Sequence, residues 1–494
     1  MIKQKHTPMK IFTRIFILLF LLLLNKQSTS QSNYQLQWEY DYTGFTSPWS
    51  LDADVLNRPY LYAASGEAGL RIFTTSGVPV YTVDTNMIEM SAMNFTQNGN
   101  LLYIAIGRHG NHDAPGLAIV DVTNPSLPVV LDVWVRPFVA ESNGAGIVKV
   151  EGNYAYLGAM GLGLIILDIS TPSNITFVSE LALDIDYPVV GPTPSFYNLR
   201  GMEVKNSIVY GCFDAGGLRI INCVNKLAPV ETGRYANPIT YVPFNQPRAY
   251  NNIALNDTVA YLAVDYCGVE VLKINDTSNI TLLDHFNPVN CPTGSWYGAP
   301  VHANELIYNA DCKELFVSTA VSEMISMDVS DPTNIDSTGM YGSTSDTTAT
   351  WGIGMRNDSI YLSYMLIPIY VSWFHPFDAK WNGIKMIKWM NPCAGMGTEE
   401  NERELLALSI RPNPFNTITQ IHFSLDEPIV ASIRIVDMLG RTIKYFESQK
   451  YNTGENRVDW DGQNFSGNEI ADGMYFVRIE SADKVFSAKM LKTK

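Results

Sequence analysis

One phrase returns along this chain at a nearly constant interval. It reads "GLAIVDVTNPSLPVVLDV" at residues 116–133, "GLIILDISTPSNITFVSEL" from Gly163 and "EMISMDVSDPTNIDSTGMY" from Glu323. Looser versions stand elsewhere, so that the phrase begins at Leu70, Leu117, Leu164, Leu218, Val269, Met324 and Ile384, with intervals of 47, 47, 54, 51, 55 and 60 residues. Each unit has an alternating strand, a tight turn, a second strand, a short loop that often holds glycine, and then the phrase. A chain that repeats one four-strand unit about every 50 residues can bury the faces of each unit only against its neighbours, which predicts a β-propeller of seven blades.

The residue pattern inside the phrase agrees. Leu117, Ile119 and Asp121 share one face of a strand, while Val120 on the other face is also apolar. A strand that is apolar on both faces must be covered on both, as it is when a blade lies between two others. The acid that ends the strand in "DVTNP", "DISTP" and "DVSDP" suits a turn: Asp121, Asp168 and Asp328 can accept from backbone N–H groups where proline stops the ladder. After the seventh phrase the chain runs into "NPCAGMGTEENERE" and lacks a fourth strand. The stretch "YQLQWEYDYTG" at residues 34–44 resembles one and precedes the first unit. It is expected near residues 34–42 as the strand that closes the ring, beside Ile384–Trp389.

The termini suggest an address. Lys3, Lys5, Lys10 and Arg14 precede the apolar run "IFILLFLLLL", and small residues follow at Ser28 and Ser30. That order is expected of a secretory signal peptide over residues 1–30, since ten apolar residues fall short of the ~20 needed to span a bilayer. Removing the five Lys and Arg of that segment takes the formal charge of −15 to about −20. So acidic a chain is a poor match for nucleic acid. Six cysteines, none in a CxxC pair, fit an oxidising compartment without a zinc ribbon. Hairpin register sets Cys212 opposite Arg219 and so too far from Cys223 to bond, whereas Cys267 and Cys291 sit on loops of one face and are expected to form a disulfide.

The phrases "LAIVD" and "LIILD" resemble the LVIVD-repeat family of β-propellers, over roughly residues 35–392 and most clearly in units two, three and six. That resemblance implies the fold and little chemistry. Residues 395–404 form a charged linker, and residues 405–494 hold alternating strands split by turn residues, which suggests a small Ig-like β-sandwich. Within it "PNPFN", "IRIVDMLGR", "WDG", "DGMYFVRI" and a terminal "KMLK" are similar to the type A C-terminal sorting domain of the type IX secretion system. The motif residues are Asn413, Pro414, Trp460, Gly462, Gly473 and Tyr475. The resemblance implies export across the outer membrane by that machinery, with release or attachment to surface polysaccharide. The expected organisation is a signal peptide at 1–30, a propeller at 31–394, a linker and the sorting domain, all-β throughout.

Chemistry is sparser. The channel mouth, where loops between second and third strands meet the starts of innermost strands, is expected to collect Asp52, Glu67, Arg200, Asp214, Arg248, Asp265, His302 and Trp351 as ligand-binding candidates. Arg200 and Arg248 can hold a carboxylate or sulfate, or pair with Asp214 and Asp265 across a polar channel. Asp52 and Asp54, as D-x-D on a strand, point the same way. His109, His112 and Asp113 lie close enough to ligate a metal ion, and equally suit a solvated loop; no cofactor is otherwise implied. No GxSxG elbow, HExxH, P-loop or dinucleotide fingerprint occurs, and no catalytic residue is nominated. The sequence therefore reads as a secreted or cell-surface binding or scaffold propeller whose partners are the type IX machinery and an extracellular glycan, polysaccharide or protein. The alternative is a secreted enzyme degrading polysaccharide or peptide at the channel mouth.

Overall fold

The computed structural model describes residues 33–42, 46–107, 113–137, 143–237, 249–265, 267–287, 302–319, 323–342, 348–366, 381–390, 392–393, 408–425, 428–437, 442–465, 467–481 and 485–493. The expected signal peptide lies outside them. The chain divides into two compact units, Met1–Gly395 and Met396–Lys494.

Among the described residues, the first unit holds seven four-stranded antiparallel sheets. The recurring phrase forms the third strand of each: Leu70–Thr74, Gly116–Asp121, Leu164–Asp168, Leu218–Asn222, Val269–Lys273, Met324–Asp328 and Gly383–Trp389. Leu117, Ala118, Ile119 and Val120 are all fully buried, as are Leu164 to Leu167, so both faces are covered. The turn acids do local work. Asp121 accepts from the Thr123 N–H at 2.7 Å, Asp168 from Ser170 at 2.8 Å and Asp328 from Ser330 at 2.8 Å. Other acids join neighbouring sheets: Asp132 accepts from the Ile175 N–H at 2.6 Å, and Asp284 from Ile335 at 2.7 Å.

The innermost strands are Ser50–Ala53, Ala92–Asn98, Ile147–Glu151, Gly201–Lys205, Asn252–Asn256, Leu306–Asn309 and Thr350–Arg356. Each packs on the next, and the last packs back on the first, so the sheets stand around one axis as a β-propeller. Two glycines allow the closest approaches. A Cβ on Gly201 would sit 2.3 Å from the Asn251 carbonyl oxygen, and one on Gly354 would sit 2.7 Å from that of Leu51. Tyr34–Asp41 completes the last sheet by pairing antiparallel with Gly383–Trp389, from Tyr34 opposite Trp389 to Asp41 opposite Gly383. Its side chains reach both neighbouring sheets: the Tyr34 hydroxyl donates to Ser326 Oγ at 2.6 Å, and Trp38 Nε1 to the Thr75 carbonyl at 3.0 Å.

Cys312, in the turn between the first two strands of sheet six, is bonded to Cys393, beyond the last strand, with Cα atoms 4.8 Å apart. This pair was not anticipated. Cys267 is disulfide-bonded and Cys291 lies outside the described residues. Cys212 and Cys223 are free and buried. The expected register was off by one, because the tighter hairpin sets Cys212 opposite Leu218, and Arg219 opposite Gly211.

Charges occupy the second position of the phrase in several units, where it departs from its apolar form. Arg219 is fully buried and pairs with Glu231 at 3.1 Å. Lys385 pairs with the buried Glu323 at 3.2 Å. Glu270 is fully buried and accepts from the Tyr250 hydroxyl at 2.8 Å. Burial pushes its carboxyl up to about 7, against the Tyr250 and Asn237 hydrogen bonds that lower it. A raised folded-state value means that the stability present below pH ~4.5 is lost as pH climbs towards 7, in all roughly 3 kcal/mol. Glu270→Gln is therefore expected to melt close to the wild type at pH 5 and several degrees above it at pH 8. A melting difference independent of pH contradicts this.

The second unit has two sheets. One carries Leu408–Arg411, Thr419–Leu425 and Gly454–Trp460; the other carries Thr442–Tyr451, Ile429–Asp437, Gly473–Glu480 and Val485–Lys492. They share a core that includes Phe415, Ile421, Ile433, Trp460, Tyr475 and Met490. The motif residues serve this packing. Asn413 Oδ1 accepts from the Leu491 N–H at 2.8 Å, Trp460 Nε1 donates to the Gln463 carbonyl at 3.0 Å, and the Tyr475 hydroxyl donates to the Ala471 carbonyl at 2.9 Å. Gly462 has φ +67°, and a Cβ there would sit 2.9 Å from the Thr417 carbonyl oxygen.

Candidate functional site: the central cavity

Along the axis lies a cavity of about 430 Å3 to which all seven innermost strands contribute. Its layers follow from strand register. In each unit the second strand carries an aromatic ring at a matching position, at Tyr62, Tyr103, Tyr156, Tyr210, Tyr261, Phe316 and Tyr361. Opposite these stand Asp52, Thr96, Lys149, Glu203, Ala254, Ile307 and Gly354. Sheets one to four thus offer polar groups at this level and sheets five to seven offer aliphatic ones or none. Glu305, just before the innermost strand of sheet six, adds a third carboxylate to the wall.

The charges are unevenly matched. Lys149 Nζ lies 2.6 Å from Glu203 Oε1. Burial by itself lowers the ammonium, but Glu203, Glu305 and Asp52 together raise it above its ordinary value. Asp52 accepts from the Ala53 N–H at 2.8 Å, and Glu305 from the Ile353 N–H at 3.3 Å. Burial among the strands pushes the Asp52 carboxyl up to about 6 and that of Glu305 up to about 8, with Lys149 opposing both shifts. Two carboxyl groups with different protonation states at neutral pH therefore face one space.

Most of the expected ligand residues gather elsewhere. Arg200, just before the innermost strand of sheet four, sets its guanidinium 5.6 Å from the ring of Trp351 in sheet seven. Trp49 meets the same ring edge-on at 5.8 Å, and His302 lies 6.4 Å away. Side chains from sheets one, four, six and seven thus meet across the axis where the innermost strands begin. Beneath them Arg200 pairs with Asp214 at 3.3 Å, and Asn198 Nδ2 donates to the same carboxylate at 2.9 Å. Asp265 pairs with His302 at 2.5 Å rather than with an arginine. These contacts pair the charges of a polar plug with one another.

Of the expected ligand residues that are described, Asp52 alone lines the cavity. Glu67 is exposed in the loop of sheet one. Arg248, His109 and His112 lie outside the described residues; Asp113 is half-buried, with its carbonyl accepting from the Gly144 N–H at 2.8 Å. Among the described residues no group of three His, Cys, Asp or Glu side chains is placed to hold a metal ion. The D-x-D pair separates, because the strand ends at Ala53. Asp54 turns into a buried network and accepts from Arg58 Nη2 at 2.6 Å, the Tyr62 hydroxyl at 2.7 Å and Gln97 Nε2 at 3.2 Å. Lys149, Glu203 and Glu305 were missed. For Lys149 and Glu203 the signal was the aromatic ring of each second strand, from which the opposite residue can be counted; Glu305 precedes its strand and lacks that signal.

Comparisons with known proteins agree with this architecture. Residues 91–132 and 144–182 match the LVIVD repeat, and residues 409–493 match the secretion system C-terminal sorting domain. No curated protein matches the chain. Among solved structures, the RRP9 WD40 repeats align at a TM-score of 0.50 with 8% identity, over 73% of this chain and 98% of that one, which speaks for the fold alone. PorZ, described as an essential bacterial surface component of the type IX secretion system of Porphyromonas gingivalis, aligns at a TM-score of 0.34 with 12% identity, over 89% of this chain and 64% of that one. Fold and tail together define a β-propeller that is secreted or attached at the outer cell surface. More specifically, the chain contains LVIVD repeats ahead of a type IX secretion C-terminal sorting domain. No helix among the described residues is long and apolar enough to cross a membrane.

Proposed function

We propose that this propeller is an extracellular binding module that takes a small organic ligand, or the end of a longer one, into its central cavity. Residues 1–30 act as its signal peptide in this reading. One observation carries it: a cavity of about 430 Å3, within the size range of small-molecule sites, lined by a few charged groups facing an aliphatic wall. The test is a glycan and protein binding array probed with the purified chain and with Thr96→Trp, whose indole fills the cavity. Ligands retained by the wild type and lost by a folded Thr96→Trp support the reading; ligands retained by both refute it.

A second reading, a secreted hydrolase of polysaccharide or peptide, is favoured by the unlike carboxyl groups. At neutral pH a carboxyl at about 8 holds its proton and one at about 6 has lost it, as an acid and a base require. Incubating array ligands with the protein and with Glu305→Gln decides it: turnover by the wild type alone supports hydrolysis, and no turnover by either leaves binding.

A further inference from the structure

The geometry points to a specific ligand class for this cavity: an aliphatic molecule carrying two ammonium groups a few methylenes apart. The assignment rests on the reading of the cavity as the ligand site and adds what the ligand is. Three carboxylates, Asp52, Glu203 and Glu305, share the wall with one ammonium, Lys149, and that ammonium is held by Glu203. Asp52 is hydrogen-bonded by the backbone of Ala53 and Met355, and Glu305 by that of Ile353. Three carboxyl groups share the single ammonium of Lys149, so a cation bound beside Asp52 or Glu305 favours the ionised form of that group, and the cavity has two places where positive charge is favoured.

Shape narrows the class. Asp52 belongs to sheet one and Glu305 to sheet six, on strands separated around the ring by that of sheet seven. The innermost strand of sheet seven lies between them, with Ile353 in the cavity wall and Gly352 and Gly354 packed against the backbone of sheet one. Since no three acidic or imidazole groups among the described residues converge, one compact metal ion does not match both sites. An extended dication does. Ala254, Leu255, Leu306 and Ile307 supply aliphatic surface for its methylenes. An anion finds the single ammonium already neutralised.

Two sources share this chemistry: a free polyamine, and a peptide whose amino terminus is a lysine. Calorimetry on the purified full chain at neutral pH would use putrescine, Lys-Gly-Gly, the neutral isostere 1,4-butanediol, and calcium chloride. One of the two dications is expected to bind with unit stoichiometry, the tighter one naming the source, and butanediol and calcium at least tenfold more weakly. Asp52→Asn and Glu305→Gln are each expected to weaken the dication at least tenfold while melting near the wild type. Equal binding of butanediol, wild-type affinity in both variants, or binding of neither dication overturns the assignment. If neither dication binds but array ligands are still lost in Thr96→Trp, the cavity stands as the ligand site and only the ligand class falls.

Discussion

Removing residues 405–494 is expected to leave the propeller in the periplasm, with its amount at the outer surface falling by at least tenfold. The effect is large because the sorting domain is the address and not a support. Its core is drawn from its own residues, from Ile410 to Met490, and the hydrophobic clusters of the propeller include none of them. The truncated propeller should therefore melt as the first unit does in the full chain, so that a defect in export is separable from one in folding. Cell fractionation with surface protease digestion reads the result. A truncated chain found outside at wild-type level contradicts the role given to the tail.

The second large effect is expected from the Cys312–Cys393 bond. It closes a loop of 81 residues, for which loop-closure entropy gives about 4–5 kcal/mol of destabilisation of the unfolded chain. The bond also ties the end of the last sheet to sheet six, where Cys312 packs in one cluster with Phe316, Ile387 and Trp389. Cys312→Ala/Cys393→Ala is expected to lower the denaturation midpoint by an amount equivalent to about 4 kcal/mol. Chemical denaturation measures it, with Cys212→Ala as the control, since that thiol is free. A double variant within 1 kcal/mol of the wild type shows that the bond contributes little.

What was legible in the sequence follows from what repeats. The third strands could be read because both faces are buried in every unit, which leaves a continuous apolar signature ending in a turn acid. The N-terminal strand could be read because the seventh unit lacks a fourth strand of its own. Residues at the mouth, Arg200, Asp214, Asp265, His302 and Trp351, were legible as positions because loop and strand boundaries place them at one end. Their partners were not. Whether Asp265 meets an arginine or His302 depends on side-chain reach across the ring, which spacing does not encode. The cavity was missed for another reason: Lys149, Glu203 and Glu305 sit in "IVKVE", "GMEVK" and "HANELIY", each an ordinary alternating strand taken alone. Only when the registers are superposed do Lys149 and Glu203 come to the level of Asp52, with Glu305 just before its own strand. Cys312 and Cys393 lie on opposite sides of the largest insertion in the repeat, so sequence distance hid their contact.

The same bond also bears on how load enters the molecule. Cys393 stands four residues beyond Trp389, between the last strand of the propeller and the tail. Tension applied through the tail, whether by a translocating machine or by a surface tether under flow, reaches that covalent junction before it reaches the strand. It passes into the turn of sheet six and bypasses the hydrogen-bonded ladder of Gly383–Trp389. The ring can then be dragged by its tail without the pull peeling open the sheet that closes it.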